Sequence, residues 1–190
     1  RRALHADAHP MTHPHPDGAV APAPLADGSA ALRVGVVDVY VVAIVDGAWR
    51  VLVLQRAATG TRCPLAWEAV HGRIEPGERP EDAAVRELRE ETGLAPARLY
   101  NVTTQAFYLH NTGLPSAGLG TVQVAVAFCA FVDEARAPAL GEEHRAYAWL
   151  SPTEAAERFA WPREREALAH VRHLLGRGDA GPLEDVLRVR

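Results

Sequence analysis

The sequence contains little cysteine, and it lacks the apolar stretches that mark a membrane protein. Two cysteines, Cys63 and Cys129, occur among 190 residues, without the C-x-x-C spacing of a zinc or redox site. This pattern is typical of free thiols in a reducing compartment, and it predicts a cytoplasmic location. No apolar run approaches the length of a membrane span, and the N-terminal stretch lacks the apolar centre of a signal peptide. A membrane is therefore not an expected partner.

The chain also lacks an excess of positive charge. Its formal net charge is -4, and acidic and basic residues are interspersed along it. Proteins that bind extended nucleic acid usually carry a basic surface, which this composition does not provide. A small anionic ligand such as a nucleotide remains compatible with the sequence and is the favoured kind of partner.

The length indicates one domain with less ordered ends. Residues 1–30 are rich in Ala, Pro, His and Asp without periodicity, which predicts a flexible N-terminal arm. The ordered domain is expected to occupy residues 31–176, and residues 177–190 to form a C-terminal tail. One domain of this size can bury a substantial core.

Several segments have the patterns of strands and helices. The run RVGVVDVYVVAIV, the Asp46-Gly47 pair and the run WRVLVLQRA predict a β-hairpin. Further strands are expected over residues 99–110, 121–132 and 147–150, with a loop over 111–120. Ser151-Pro152 and Pro162 predict two helix starts, with helices extending to about residues 159 and 176. Strands flanked by helices indicate an α/β protein.

A further helix is predicted in the segment Gly72–Leu94, which reads GRIEPGERPEDAAVRELREETGL. Pro80 suits the first helical position, and Glu81 and Asp82 favour the first turn. Gly93 can adopt the left-handed conformation just after a helix end. These signals predict a helix over residues 80–92.

Three glutamates on this helix are spaced so that they share one face. Glu87, Glu90 and Glu91 are separated by three and four positions, so their carboxylates repel one another. A hard divalent cation such as Mg²⁺ or Mn²⁺ relieves this repulsion, since it prefers oxygen ligands. The alternative is a solvated face, with Arg86 and Arg89 as ordinary ion-pair partners.

The spacing G-x5-E-x7-R-E-L-x-E-E-x-G-L decides between these alternatives. With it, the sequence resembles the Nudix hydrolase family, whose signature box it matches at every specified position. The resemblance implies an α/β/α sandwich around a mixed β-sheet. It also implies a divalent-metal-dependent enzyme that hydrolyses a phosphoric anhydride in a nucleoside diphosphate linked to another moiety.

The resemblance assigns roles to individual residues. The metal ligands, for Mg²⁺ or Mn²⁺, are expected to be Glu87, Glu90, Glu91 and the carbonyl of Gly72. Glu78 and Arg86 occupy positions that brace the loop against the helix. The general base stays open between Glu87 and a glutamate of a later loop, for which the candidates are Glu142 and Glu143; the loop glutamate is alternatively solvated.

Four further residues are candidates for binding the substrate, and each has a structural alternative. Arg56 is expected to contact phosphate, or to be a surface charge at the end of a strand. His71 replaces a glycine that is common before the box, and it either contacts phosphate or caps the loop. Trp67 and Tyr108 are candidates for stacking on a base, or for packing in the core.

The segment WEAVHGRIEPGE after a VLVLQRA strand resembles the triphosphate-cleaving members of the family. We therefore expect a nucleoside triphosphate or similar triphosphate to yield a monophosphate and pyrophosphate. ADP-ribose and dinucleoside polyphosphates are alternative substrates.

A different class of function is a catalytically idle nucleotide-sensing module, in which the N-terminal arm or the tail LEDVLRVR docks on a partner. The sequence leaves a homodimer open.

Overall fold

The structure is a computed structural model that describes residues 31–109 and 121–190. The predicted arm over residues 1–30 and the predicted loop over residues 111–120 lie outside the described residues. The elements follow in the order β1 (Ala31–Val45), β2 (Ala48–Arg56), β3 (Trp67–Glu68), β4 (Val70–Arg73), α1 (Pro80–Thr92), β5 (Arg98–Leu109), β6 (Thr121–Phe131), β7 (His144–Leu150), α2 (Pro152–Arg158), α3 (Pro162–Leu175) and α4 (Glu184–Leu187).

The predicted hairpin joins β1 to β2 through Asp46 and Gly47. Both residues have positive φ, 52° and 76°, which is the combination that a two-residue type I′ turn requires. Val45 pairs directly with Ala48, so the turn contains only these two residues. The Asp-Gly pair thus sets the register of the first two strands.

The sheet is mixed, and it divides where β1 and β2 separate. β1 pairs in parallel with β6 and in antiparallel with β2 and β4. The part of β1 near the hairpin pairs with β2, whereas Val36–Val39 pairs with β4; the end of β2 pairs with β3. β3 and β4 were not predicted, because two and four residues are too few to show alternation. They hold the segment before α1 at the middle of the sheet.

Alternation along the strands places a core on each face of the sheet. Val37, Val39 and Val41 of β1 face the cluster that contains Leu88 of α1. The alternate residues face the other cluster, which includes Phe159, Leu168 and Val171 from the segment of α2 and α3. The predicted α/β/α arrangement with a mixed sheet is confirmed.

Helix α1 has the predicted bounds, Pro80–Thr92. Pro80 lies in the first turn, and Gly93 ends the helix with φ 67° and donates its N–H to the carbonyl of Arg89. Ala83, Ala84 and Leu88 are buried against the sheet. The charged residues between them therefore lie on the opposite side or at the edge of the helix.

Helices α2 and α3 also begin where the sequence predicts, at Pro152 and Pro162. Ser151 and Glu154 form a reciprocal capping box at the start of α2. β7 begins at His144, earlier than the predicted residue 147, because Arg56 of β2 pairs with His144. No helix in residues 31–109 and 121–190 is long and apolar enough to span a membrane.

The segment after α3 folds back onto the sheet. A single 3-10 turn, Gly181–Leu183, precedes α4. Beyond α4, the N–H of Val189 donates to the carbonyl of Leu99 at 2.9 Å, and the N–H of Leu99 donates to the carbonyl of Arg190 at 2.9 Å. Residues 177–190, expected to form a tail, thus cover one edge of β5.

Candidate active site

Gly72 of β4 and Glu87 of α1 are in close contact at the point where the sheet divides. A Cβ added to Gly72 would lie 1.8 Å from Cδ of Glu87, so only glycine leaves space for this carboxylate. Glu87 Oε1 accepts hydrogen bonds from the backbone N–H of Arg73 at 3.0 Å and from Arg86 Nη1 at 2.8 Å. The end of β4 with the loop that follows it, here called the glycine loop, therefore fits closely against α1, here called the acidic helix.

The Glu91 carboxylate is buried close to other acids. It is 8% exposed, and its Oε2 has no hydrogen-bond partner in the described part of the chain. Burial, followed by the charges of Glu68, Glu87 and Glu143, holds the pKa of Glu91 well above its usual range. A backbone hydrogen bond from His71 opposes this shift without reversing it. A cation at Glu91 would relieve the repulsion.

Arg86 connects the loop, β4 and α1. It donates through Nε and Nη2 to the two oxygens of Glu78, both at 2.9 Å, and through Nη2 to the carbonyl of Arg73 at 2.8 Å. The pKa of Glu78 is lowered, chiefly by its hydrogen bonds from Arg86. These contacts tie the loop after β4 to the middle of α1.

The three glutamates that share a face do not converge on one point. The Glu90 side chain is 59% exposed, and its Oε2 lies 3.3 Å from Arg86 Nη1. Across the described ranges, no three His, Cys, Asp or Glu side chains are already gathered closely enough to hold a metal ion. The available hard donors at the site are the oxygens of Glu87, Glu91 and the Gly72 carbonyl, with Glu90 at its solvent edge.

Two buried residues at this site, Glu68 and His144, were not among the predicted site residues. Glu68 is 4% exposed and accepts from Arg56 Nη1 at 2.6 Å. His144 Nε2 lies 3.2 Å from Glu68 Oε1, and His144 Nδ1 lies 3.8 Å from Glu91 Oε2. A single acid within the apolar run LAWEAV is the only sequence signal for Glu68. His144 follows two exposed acids, which makes it resemble a loop residue.

The two loop glutamates differ in their relation to the site. Glu143 Oε2 lies 3.2 Å from Arg56 Nη2, and the charge of Glu143 is one of those that raise the pKa of Glu91. Glu142 is exposed. Both loop glutamates are exposed, and the contact with Arg56 is what connects Glu143 to the charged cluster.

On the opposite face of β4, His71 is held by a buried acid. Its Nδ1 lies 2.6 Å from Asp38 Oδ1, and Asp38 also forms an ion pair with Arg163. Burial raises the pKa of Asp38, but His71 and Arg163 outweigh burial and hold this pKa below its usual value. The His71 side chain is 26% exposed, so part of the ring reaches the surface.

The other predicted substrate contacts differ in their surroundings. Arg56 is 13% exposed and paired with Glu68 and Glu143, so it is part of the charged cluster and not a free surface residue. Trp67 packs against the α3-side core, with the Arg158 guanidinium 4.9 Å from its ring centre. Tyr108, near the end of β5, is 60% exposed.

Comparison with known proteins agrees with this architecture. The NUDIX domain family model matches residues 35–171. The CTP pyrophosphohydrolase of Escherichia coli K12 is 31% identical over 124 residues, which are 62% of this chain and 78% of that protein. The solved structure of the E. coli dihydroneopterin triphosphate pyrophosphohydrolase has 29% identity and a TM-score of 0.55, covering 70% of this chain and 91% of that one.

A more distant structure shares the fold. The NUDIX domain of Shewanella oneidensis NrtR, in complex with ADP ribose, has 17% identity and a TM-score of 0.60, covering 77% of this chain and 89% of that chain. The family match spans most of the described domain, and it includes the glycine loop, the acidic helix and the buried carboxylates around them. The chain belongs to the Nudix hydrolase family.

Proposed function

We propose that this Nudix hydrolase cleaves a nucleoside triphosphate, or a similar triphosphate, to a monophosphate and pyrophosphate with Mg²⁺ or Mn²⁺. The observation that carries the proposal is the Glu91 carboxylate. It is buried among other acids, and Oε2 has no partner within the described residues. A buried anion in this position is costly unless a cation compensates it.

The donor chemistry fits a divalent cation, which the family generally uses. Carboxylate and carbonyl oxygens are the preferred ligands of Mg²⁺ and also suit Mn²⁺. We assign the cation to Glu87, Glu90, Glu91 and the carbonyl of Gly72. When bound, such an ion neutralises phosphate charge and lowers the pKa of a bound water.

The residues around the proposed cation site hold its carboxylates in place. Arg86 fixes the loop through Glu78, and it orients Glu87 through Nη1. Close contact between Gly72 and Glu87 leaves no room for water between them. Preorganised charge of this kind favours a transition state in which negative charge accumulates on phosphoryl oxygens.

A general base must accept the proton of the attacking water, and we assign this role to Glu143, with Glu87 as the alternative. The Glu143 side chain is 63% exposed, so it can exchange its proton with solvent. Glu87 has Oε1 engaged by Arg73 and Arg86. In the reaction, the water oxygen forms a bond to phosphorus, the α–β anhydride bond breaks, and pyrophosphate leaves.

The relatives support a triphosphate over the alternative substrates. Two of the relatives described above, at 31% and 29% identity, are named for triphosphate substrates, CTP and dihydroneopterin triphosphate. ADP ribose and Ap4A occur in the names of structures with 17% identity, at which only the fold is shared. We propose that Arg56 and the exposed part of His71 contact the phosphates, and that Trp67 and Tyr108 flank the base.

The free thiols support a reducing, cytoplasmic location as a further part of this proposal. Cys63 is exposed and Cys129 is buried, and neither forms a disulfide. An exposed unpaired cysteine is more typical of proteins in reducing compartments than of secreted ones.

The test is a substrate panel with product identification by mass spectrometry. It includes the common nucleoside triphosphates, dihydroneopterin triphosphate, ADP-ribose and a diadenosine polyphosphate, each with Mg²⁺ and with Mn²⁺. We expect monophosphate and pyrophosphate from at least one triphosphate, at a higher kcat/KM than for the other classes. Preferred cleavage of ADP-ribose or the diadenosine compound would contradict the substrate assignment. Tight nucleotide binding without hydrolysis would favour the sensing module instead.

A further inference from the structure

His144 spans two carboxylates beneath the active site. Its side chain is 1% exposed, and it lies between Glu68 of β3 and Glu91 of α1. Nε2 is 3.2 Å from Glu68 Oε1, which is a hydrogen-bond distance, whereas Nδ1 is 3.8 Å from Glu91 Oε2, which is too long for one. The two ring nitrogens therefore have different environments.

The contact with Glu68 determines which ring nitrogen carries hydrogen. Glu68 Oε1 also accepts from Arg56 Nη1 at 2.6 Å, and a carboxylate paired with a guanidinium is ionised and can only accept. Nε2 of His144 must therefore donate its hydrogen to Glu68. In the neutral form of the ring, Nδ1 then carries the lone pair.

This lone pair faces a second acceptor. His144 Nδ1 and Glu91 Oε2 are both buried, and neither has a hydrogen-bond partner within residues 31–109 and 121–190. When Glu91 is ionised, both atoms are acceptors, so they repel one another, and each has lost its hydration. A positive group or a donor between them would satisfy both.

The separation of these two atoms permits a shared metal ion. Two bonds of about 2.1 Å to one cation can span at most about 4.2 Å, so atoms 3.8 Å apart can share it. Histidines that bind metals usually donate the other ring N–H to a carboxylate, which fixes the tautomer and ring orientation. Glu68 has this relation to His144, and Arg56 in turn holds Glu68.

We propose that His144 Nδ1, together with Glu91 Oε2, is a ligand of the divalent cation, and that this nitrogen makes the site prefer Mn²⁺ or another transition metal over Mg²⁺. The inference deepens the proposed function and rests on its cation site. Imidazole nitrogen suits transition metals, whereas Mg²⁺ prefers an all-oxygen shell. The oxygen donors already assigned to the cation remain its other ligands.

The direct test is pulsed EPR spectroscopy of the Mn²⁺-loaded protein. We expect a ¹⁴N coupling from a directly bound imidazole in the wild type, and its replacement by a ¹⁵N coupling when the protein is labelled with ¹⁵N-histidine. The coupling should persist in His71→Gln, because His71 contacts Asp38 and not Glu91 Oε2. Bound Mn²⁺ without nitrogen coupling in the wild type would overturn the proposal and would indicate a proton or a water between the two atoms.

Metal affinity provides the second measurement. In His144→Gln we expect the Kd for Mn²⁺ to rise about tenfold or more, and the Kd for Mg²⁺ to change much less. The matched control is His173→Gln, because His173 is an exposed histidine on α3. An equal loss for both ions in a folded His144→Gln protein would assign His144 a positioning role and would refute ligation. If this variant does not fold, the isotope comparison in the wild type and in His71→Gln still shows whether a histidine other than His71 is bound, and the absence of nitrogen coupling still refutes the proposal.

These outcomes separate the inference from the function on which it rests. Hydrolysis of a triphosphate with bound Mn²⁺ but no nitrogen coupling would leave the proposed function intact. Failure of the wild type to bind Mn²⁺ or Mg²⁺ would refute the cation site itself.

Discussion

The Arg86 guanidinium donates two parallel hydrogen bonds to the Glu78 carboxylate, each 2.9 Å long. This geometry is the strongest that an arginine and a carboxylate can adopt. It ties the loop after β4 to the middle of α1, and the same guanidinium also contacts Glu87. The shape of the proposed cation site therefore depends on the contacts of one arginine.

Arg86→Lys should loosen the site without removing charge. A lysine cannot reproduce the paired bonds to Glu78 and also reach the Arg73 carbonyl and Glu87. We expect kcat/KM to fall at least about tenfold, and the free energy of unfolding to fall by about 1–3 kcal/mol. Steady-state kinetics and urea unfolding measure both. The control is Arg89→Lys on the exposed side of α1, and equal effects of the two substitutions would contradict this role.

Gly72→Ala should displace Glu87, because the added Cβ would lie 1.8 Å from Glu87 Cδ. We expect turnover to fall about a hundredfold or more, with weaker metal binding measured by calorimetry. Gly77→Ala is the contrast, since φ at Gly77 is 80° but no atom of the described part of the chain lies within 4 Å of the added Cβ. That substitution should cost about 1 kcal/mol of stability through backbone strain and should leave turnover nearly unchanged. Normal turnover in Gly72→Ala would show that Glu87 is dispensable.

Glu91→Gln should remove most of the increase in the free energy of unfolding that Mn²⁺ binding causes. In the wild type, Mn²⁺ at a hundred times its Kd should raise the free energy of unfolding by about 2.7 kcal/mol. We expect this increase to be largely lost in Glu91→Gln, together with at least about a hundredfold of turnover, while the metal-free protein remains folded. Thermal unfolding with and without Mn²⁺ measures the effect. Glu157→Gln, an exposed change on α2, should behave as the wild type. A full Mn²⁺ response in Glu91→Gln would remove Glu91 from the ligand set.

Glu164 should make the protein less stable as the pH rises. Burial raises the pKa of Glu164 from 4.5 to about 8, although its carboxylate accepts from the N–H of Ala69. Between these two values the folded protein retains a proton that the unfolded chain releases. The free energy of unfolding therefore falls with rising pH, by up to about 1.4 kcal/mol per unit, and this loss is complete above pH 8.

The measurement is urea unfolding at several pH values from 5 to 9. Glu164→Gln should flatten the fall, because an amide does not titrate and can still accept from Ala69. The matched control is Glu166→Gln, since Glu166 is exposed on the same helix. Identical pH profiles for the wild type and Glu164→Gln would show that the buried carboxyl does not titrate in this range.

The elements with strong local signals were predicted well. The bounds of α1 follow from Pro80 and Gly93, and the turn of the first hairpin follows from Asp46 and Gly47. Each of these signals acts over a few residues, through backbone sterics or capping. It can therefore be recognised in the sequence before the fold is known. The strands β3 and β4 form because β1 and β2 separate, which no local pattern reveals.

The candidate site was predicted only in part for the same reason. The spacing of Glu87 and Glu91 indicates a cation site, but it does not show that Glu90 turns towards Arg86 and solvent. Glu68 and His144 are 76 residues apart in the chain and are hydrogen-bonded in the fold. Only the register of β2 with both β3 and β7 brings them together.

The sequence by itself determined that an acidic, capped helix follows a glycine loop, since these features depend on neighbouring residues and on the 3.6-residue period of the helix. It also determined the family to which the chain belongs. The tertiary structure decided which acids are buried, which of them have partners, and which histidine meets Glu91. Those properties depend on strand register and on packing between distant segments, where a shift of one residue moves a side chain to the other face of the sheet.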